Sequence, residues 1–351
     1  MQNLPEYLDA ASTTPVDKRV LDAMYPYFSE IFGNASSNHS YGKEAKKAIE
    51  TARNYIGNLI NAEPKEIVFT SGATESINLA LKGYVEENSE KGNHIITVKT
   101  EHKAVLATCE YLETKGFEVT YLEVDHNGLI SLDELKSAIK DTTLLISVMY
   151  VNNEIGIVQP IAEIGKIARE HNVCFFCDAT QAVGKLKVDV QSDHIDMLCF
   201  SGHKIGGPKG IGVLYKRENI QLTPLMHGGG QENGLRAGTY NVPLIVGLGK
   251  ACELISKEFD TIVSTLLEKR NELEKYYEEN KIGIVNFKEV ARAPHILSIA
   301  LNKIEAEDYL ILNSGKFAAS TGSACSSNIT TKSHVISAIK RKNKIIRISV
   351  L

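Results

Sequence analysis

No stretch of this sequence is apolar for long enough to cross a membrane, and its first residues, Met1-Gln2-Asn3-Leu4-Pro5-Glu6, lack the basic start and apolar core of a targeting segment. Both absences point to a soluble, cytoplasmic protein. Cysteine is scarce: six in 351 residues, without secretory features, argue against a disulfide framework and for a reducing compartment. Charge of one sign is also lacking. With 39 basic and 43 acidic residues the formal net charge is -4, so neither nucleic acid nor an anionic membrane is expected as the main partner. Internal repeats and low-complexity tracts are absent. What remains, 43% hydrophobic and 23% charged, is the composition of a globular protein. Its length exceeds the size at which a single core keeps growing, so a large domain plus a smaller one is expected.

Apolar runs near Val68, Ile95, Val119, Leu145, Cys174, Leu198 and Val213 alternate with segments of helical spacing. Ala45, Ala48, Ile49, Ala52, Ile56 and Leu59 show that spacing, as do Ile161, Ile164, Ile167 and Ala168. The alternation predicts an α/β fold, a mainly parallel sheet with helices on both faces. A long helical pattern from Val242 toward Glu278 marks the exit from this domain, and Ile296 to Leu301 is a strand candidate in a second α+β unit. Cys174 and Cys177 form a C-x-x-C, yet residues three apart on a strand point to opposite faces and cannot jointly hold a metal. Cys109, Cys199 and Cys252 are likewise read as core.

Three segments carry chemistry. Ser201-Gly202-His203-Lys204 follows the apolar run Met197 to Phe200, and a lysine just past a buried strand can form an imine with an aldehyde cofactor. Asp178 ends the run Val173 to Cys177, at the strand end where open α/β sheets place ligands, and a carboxylate there can keep a pyridine nitrogen protonated. Ser71-Gly72-Ala73-Thr74-Glu75 links a strand to a helix and presents a phosphate cradle of backbone N–H groups at the positive end of the helix dipole. Each has a plainer reading: a Gly-rich junction with solvated lysines, a turn aspartate, and an ordinary helix cap by Ser71 or Thr74.

Taken with Tyr7-Leu8-Asp9, Thr13-Thr14-Pro15, Thr100 to Lys103, Val151 to Gly156, His227 to Gly230 and Ser323-Ala324-Cys325, these motifs resemble the cysteine desulfurases of the class V aminotransferase superfamily. The resemblance runs in order over almost the whole chain. A cysteine in a Gly-Ser-Ala-Cys loop is what separates the first desulfurase group from its aminotransferase relatives. The implied fold is that of the type I pyridoxal phosphate-dependent transferases, with a large cofactor domain over 13–250 and a small domain from 1–12 and 251–351.

The resemblance also implies roles. Lys204 binds pyridoxal 5'-phosphate covalently, Asp178 pairs with its ring nitrogen, Gln181 hydrogen-bonds its ring oxygen, and His102 stacks on the ring and assists proton transfer. Ala73, Thr74, Ser201 and His203 bind its phosphate, and Thr239 reaches the phosphate of a neighbouring subunit, which implies a homodimer. Asn34, Asn153 and Arg347 bind the substrate L-cysteine, and Cys325 is the nucleophile whose persulfide passes to a sulfur-acceptor protein such as an iron–sulfur scaffold. Selenocysteine lyase, class V aminotransferase and weakly active scaffold are the alternative functions. Two departures accompany the match: Ala35 replaces a usual proline beside Asn34, and the chain stops at Leu351, where relatives are expected to continue. The basic run from Lys340 to Lys344 is read as a solvated helix face, with an acidic acceptor's docking edge as the alternative.

Overall fold

The computed structural model describes residues 4–321, 333–341 and 344–351. After a short strand β1 (Glu6–Tyr7) come helices α1 (Lys18–Met24), α2 (Pro26–Ser29) and α3 (Ser40–Ile60). Strands and helices then alternate: β2 (Ile67–Thr70), α4 (Ala73–Glu87), β3 (His94–Val98), α5 (Lys103–Glu113), β4 (Glu118–Leu122), α6 (Leu132–Ala138) and β5 (Thr143–Ser147). The series closes with α7 (Ile161–Glu170), β6 (Cys174–Asp178), β7 (Met197–Ser201) and β8 (Gly212–Lys216). Each of the seven apolar runs read from the sequence is one of these strands.

The seven strands form one sheet in the order β2-β8-β7-β6-β5-β3-β4. Only β8 runs against its neighbours, β2 and β7, so the sheet is parallel apart from that strand. Side chains alternate between two cores. On β6, Phe175 and Cys177 join one apolar cluster while Cys174 and Phe176 join the other. The two cysteines of the C-x-x-C therefore lie on opposite faces of the sheet. Both faces are covered because parallel strands require crossover helices, which is why β2, β3, β5, β6 and β7 are buried throughout.

Helix α8 (Val242–Glu279) starts against α3 and runs on to a second group of strands, so the expected domain boundary near 250 falls inside one continuous helix. Its contact with α3 is close: a Cβ on Gly249 would stand 2.5 Å from Ala52. Beyond it lie β9 (Gly283–Val285), β10 (Ile296–Leu301), α9 (Ala306–Asn313), β11 (Phe317–Ala318), α10 (His334–Ala338) and β12 (Ile345–Ser349). An antiparallel sheet, β12-β10-β9, and the parallel pair β1-β11 share a core of Leu8, Leu297, Ile299, Ile346, Ile348 and Tyr277.

One sequence expectation is corrected here. Lys340 and Arg341 are not on a helix face, because α10 ends at Ala338 and Lys340 takes a left-handed turn with φ 56°. Arg341 instead stacks 4.5 Å from the centre of the Phe287 ring, and Lys344 pairs with Glu305 at 3.1 Å. Among the described residues no helix is long and apolar enough to cross a membrane.

Candidate active site

The parallel strands end along one edge of the sheet, and that edge borders a cavity of about 600 Å³. Thr70, Asp178 and Ser201 each close a strand there, so the segments that follow β2, β6 and β7 reach the cavity together. Ten of the expected residues line it: Ala73, Thr74, His102, Asn153, Asp178 and Gln181, together with Ser201, His203, Lys204 and Arg347. Asn34 and Thr239 do not. Asn34 is exposed, its Oδ1 accepting the Ser36 N–H, and Thr239 is exposed on the segment before α8. Cys325 lies outside the described residues.

The cradle is built as the sequence pattern required. Gly72 caps α4 with no side-chain hydrogen bond, so the first N–H groups of a 15-residue helix keep their donor capacity at the cavity wall. Strand β8 passes close behind: a Cβ on Gly212 would stand 2.6 Å from the Gly72 backbone. Only glycine allows that approach. Glu75 is turned aside by Arg236 at 2.9 Å and accepts the Ser71 N–H, which lowers its pKa against the effect of burial and ties the 227–241 segment to the cradle. His203 donates to or accepts from Thr13 Oγ1 at 3.1 Å. Burial, with Lys204, Lys209 and Lys185 nearby, pushes its pKa down to about 4, so the ring is neutral near pH 7.

Asp178 is buried at the end of β6, with Oδ1 accepting the Thr180 N–H at 3.0 Å. Among the described residues no cationic side chain forms an ion pair with it. A buried carboxylate without a cation suits a protonated ring nitrogen. Behind it, Glu101 accepts the Met149 N–H while its other oxygen has no partner. Burial, reinforced by Asp178, raises the Glu101 pKa well above the ordinary range.

Lys204 sits in the turn after β7 and donates from Nζ to the carbonyls of Ala11 at 2.6 Å and Ser12 at 2.7 Å. His102 caps α5, its Nδ1 accepting the Ala104 N–H at 3.1 Å, so any proton it carries in the neutral state is on Nε2. Arg347 is not one more charge of the basic run. It is buried on β12, donating to Asp9 Oδ1, Ser12 Oγ, Ser320 Oγ and the Asn153 carbonyl at 2.5–3.0 Å.

An uncapped helix terminus, an unpaired buried carboxylate and a lysine on one cavity fit pyridoxal phosphate group by group. Residues 6–351 match the family model described as aminotransferase class-V. The chain belongs to that family. Class V members are pyridoxal phosphate-dependent, and so is this enzyme. It is 51% identical over 344 residues to cysteine desulfurase IscS of Neisseria meningitidis serogroup C (strain 053442), covering 97% of this chain and 85% of the relative. A solved "NifS-like protein" superposes with TM-score 0.91 at 36% identity, covering 99% and 94% of the two chains. Another, described as SspA in complex with cysteine, gives 0.86 at 41%, covering 98% of each.

Two residues at this class V site escaped the sequence reading. Lys185 is buried and donates to the Lys204 carbonyl at 2.7 Å; burial, with the Lys204 charge, pushes its pKa down to about 7. His295 is buried and bonds Gln181 Oε1 at 3.0 Å. Lys185 had a faint signal, a lysine four residues after Gln181. His295 had another, a polar residue heading the apolar run that becomes β10.

Proposed function

We propose that the protein is a cysteine desulfurase that removes sulfur from L-cysteine, releases L-alanine and passes the sulfur on from a persulfide on Cys325. One observation carries this reading: Lys204, Asp178, the α4 N-terminus and Arg347 all border the same cavity. Bound pyridoxal phosphate supplies an electron sink for the substrate α-carbon. Lys204 would hold it covalently, Asp178 would keep its ring nitrogen protonated, and Gln181 would donate to its ring oxygen. Ala73, Thr74, Ser201 and His203 receive its phosphate. A neutral His203 does so as a donor, without a charge of its own.

Arg347 offers its planar fork to the substrate carboxylate, with Asn153 beside it; Asn34, which lies off the cavity in this structure, is the third proposed substrate contact. Where the substrate amine displaces it, Lys204 Nζ would be free to move the proton at the substrate Cα, with His102 assisting. The Cys325 thiolate then attacks the substrate sulfur. An S–S bond forms, the C–S bond breaks, and its electron pair stays with the carbon skeleton, which takes up a proton and leaves as alanine. The other five cysteines are buried, with their thiol pKa values raised above the usual range, and take no part.

Thr239 completes a neighbouring subunit's phosphate site in a homodimer; its exposure and its absence from its own chain's cavity support this. The enzyme acts in the cytoplasm, and its acceptor is a protein such as an iron–sulfur scaffold. The domains are the seven-stranded sheet with its helices and the smaller sheets beyond, joined through α8. The test is product analysis with L-cysteine as sole substrate. Alanine should form continuously with a thiol reductant and stop after about one turnover per site without it. A keto acid in place of alanine would make the enzyme an aminotransferase.

A further inference from the structure

Gln181 is held from both sides. Its Nε2 donates to the Ala11 carbonyl at 2.9 Å, and its Oε1 faces His295 Nε2 at 3.0 Å. A backbone carbonyl only accepts, so the Ala11 contact fixes which end of the amide is nitrogen. Oε1 then faces the histidine, and His295 must donate. Its proton is therefore on Nε2, and Nδ1 is an acceptor. That Nδ1 is buried and has no partner. An apolar residue would avoid an orphaned nitrogen in the core, so packing alone gives no reason for a histidine here.

We infer that His295 is a positioning residue for the cofactor site: its Nε2–H holds the oxygen of the Gln181 amide away from the cavity and so presents the amide N–H to the ring oxygen. The inference rests on reading Gln181 as the ring-oxygen donor. The contact crosses between the two groups of elements, since Gln181 follows β6 and His295 leads into β10. Ala11, the other anchor of the amide, also accepts from Lys204 Nζ at 2.6 Å. Burial, reinforced by the charges of Lys185, Arg347, Lys204 and Arg270 around it, holds the His295 pKa well below the usual range, so it donates as a neutral ring.

The test is a pH titration of the holoenzyme's visible absorbance, made on the wild type, His295→Leu, His295→Gln, Gln181→Ala and the double variant Gln181→Ala/His295→Leu. A donor on the ring oxygen favours the deprotonated form of the bound cofactor, so losing the donor raises the transition pH. Gln181→Ala and His295→Leu should both raise it, with cofactor affinity about three- to tenfold weaker, as expected for one hydrogen bond. His295→Gln, which keeps an N–H, should stay near the wild type, and His295→Leu should add nothing to Gln181→Ala. A wild-type transition in His295→Leu while Gln181→Ala is raised would overturn the inference and leave the reading of Gln181 standing. No change in Gln181→Ala would overturn both. Should His295→Leu not fold, nitrogen NMR of the histidine-labelled wild type still decides the tautomer: Nε2–H is required, and Nδ1–H refutes the inference.

Discussion

At the cradle, Ser71 to Glu75 form one continuous turn between β2 and α4 that presents the first N–H groups of the helix. Around Arg347 on β12, by contrast, the partners come from three separate segments: Asp9 and Ser12, Asn153, and Ser320. Backbone N–H groups need no matching side chains, so a strand, a glycine and a helix start suffice for the cradle. A buried guanidinium is different. It requires acceptors arranged around it before it is stable away from water, and these are supplied by the fold. In the proposed function the cradle serves the cofactor, while the Arg347 cluster serves the substrate.

The largest effect should come where both regions depend on one residue. Lys204→Ala should lose the covalent cofactor and its yellow colour, with alanine formation slower by on the order of 10²–10⁴-fold. Borohydride reduction and peptide mapping check the attachment; a label on Lys209 would refute it. Next, Arg347→Ala should lower kcat/KM for L-cysteine roughly 10–100-fold, as expected for lost hydrogen bonds to a charged group, with cofactor affinity changed far less. Steady-state kinetics beside a cofactor titration separate the two. If cofactor affinity falls as steeply as kcat/KM, the division between the regions fails.

Lys185 sharpens the comparison through pH. In the fold its pKa is down to about 7, against 10.5 for an ordinary lysine, so between these values the unfolded chain binds a proton that the folded protein does not. Stability of the apoprotein should therefore rise with pH from about 7 to about 10.5, with a slope of up to about 1.4 kcal/mol per pH unit from this group. Lys185→Met should remove that slope in denaturant titrations. An unchanged slope would mean that the amine is charged in the fold. The smallest effect belongs to the cradle side chain: Thr74→Ala should weaken cofactor binding about fivefold, on the order of 1 kcal/mol, and leave KM for L-cysteine unchanged.

The same contrast explains what was legible in the sequence. The strands were readable because parallel strands buried on both faces give unbroken apolar runs, and the α8 pattern from Val242 was readable from its spacing. Local site elements were readable too, as the residues of the cradle, Asp178 and the Lys204 turn each lie within a few positions of a strand end. The Arg347 cluster was legible only through family resemblance, since nothing near Arg347 announces Asp9 or Ser12. Lys185 and His295 were missed for a related reason: their partners, the Lys204 carbonyl and the Gln181 amide, are 19 and 114 positions away. The basic run was misread as a helix because charge says little about where a helix stops, and the left-handed turn at Lys340 stops this one.

In the proposed function the Cys325 thiol, and no other, takes the sulfur. The most direct measurement exposes the wild-type enzyme to L-cysteine without reductant and maps its peptides by mass. One added sulfur on the Cys325 peptide, removable by a thiol and accompanied by loss of alanine output in Cys325→Ala, is the predicted result. Sulfur on Cys174 or Cys177, or a Cys325→Ala variant that keeps its alanine output, would contradict it.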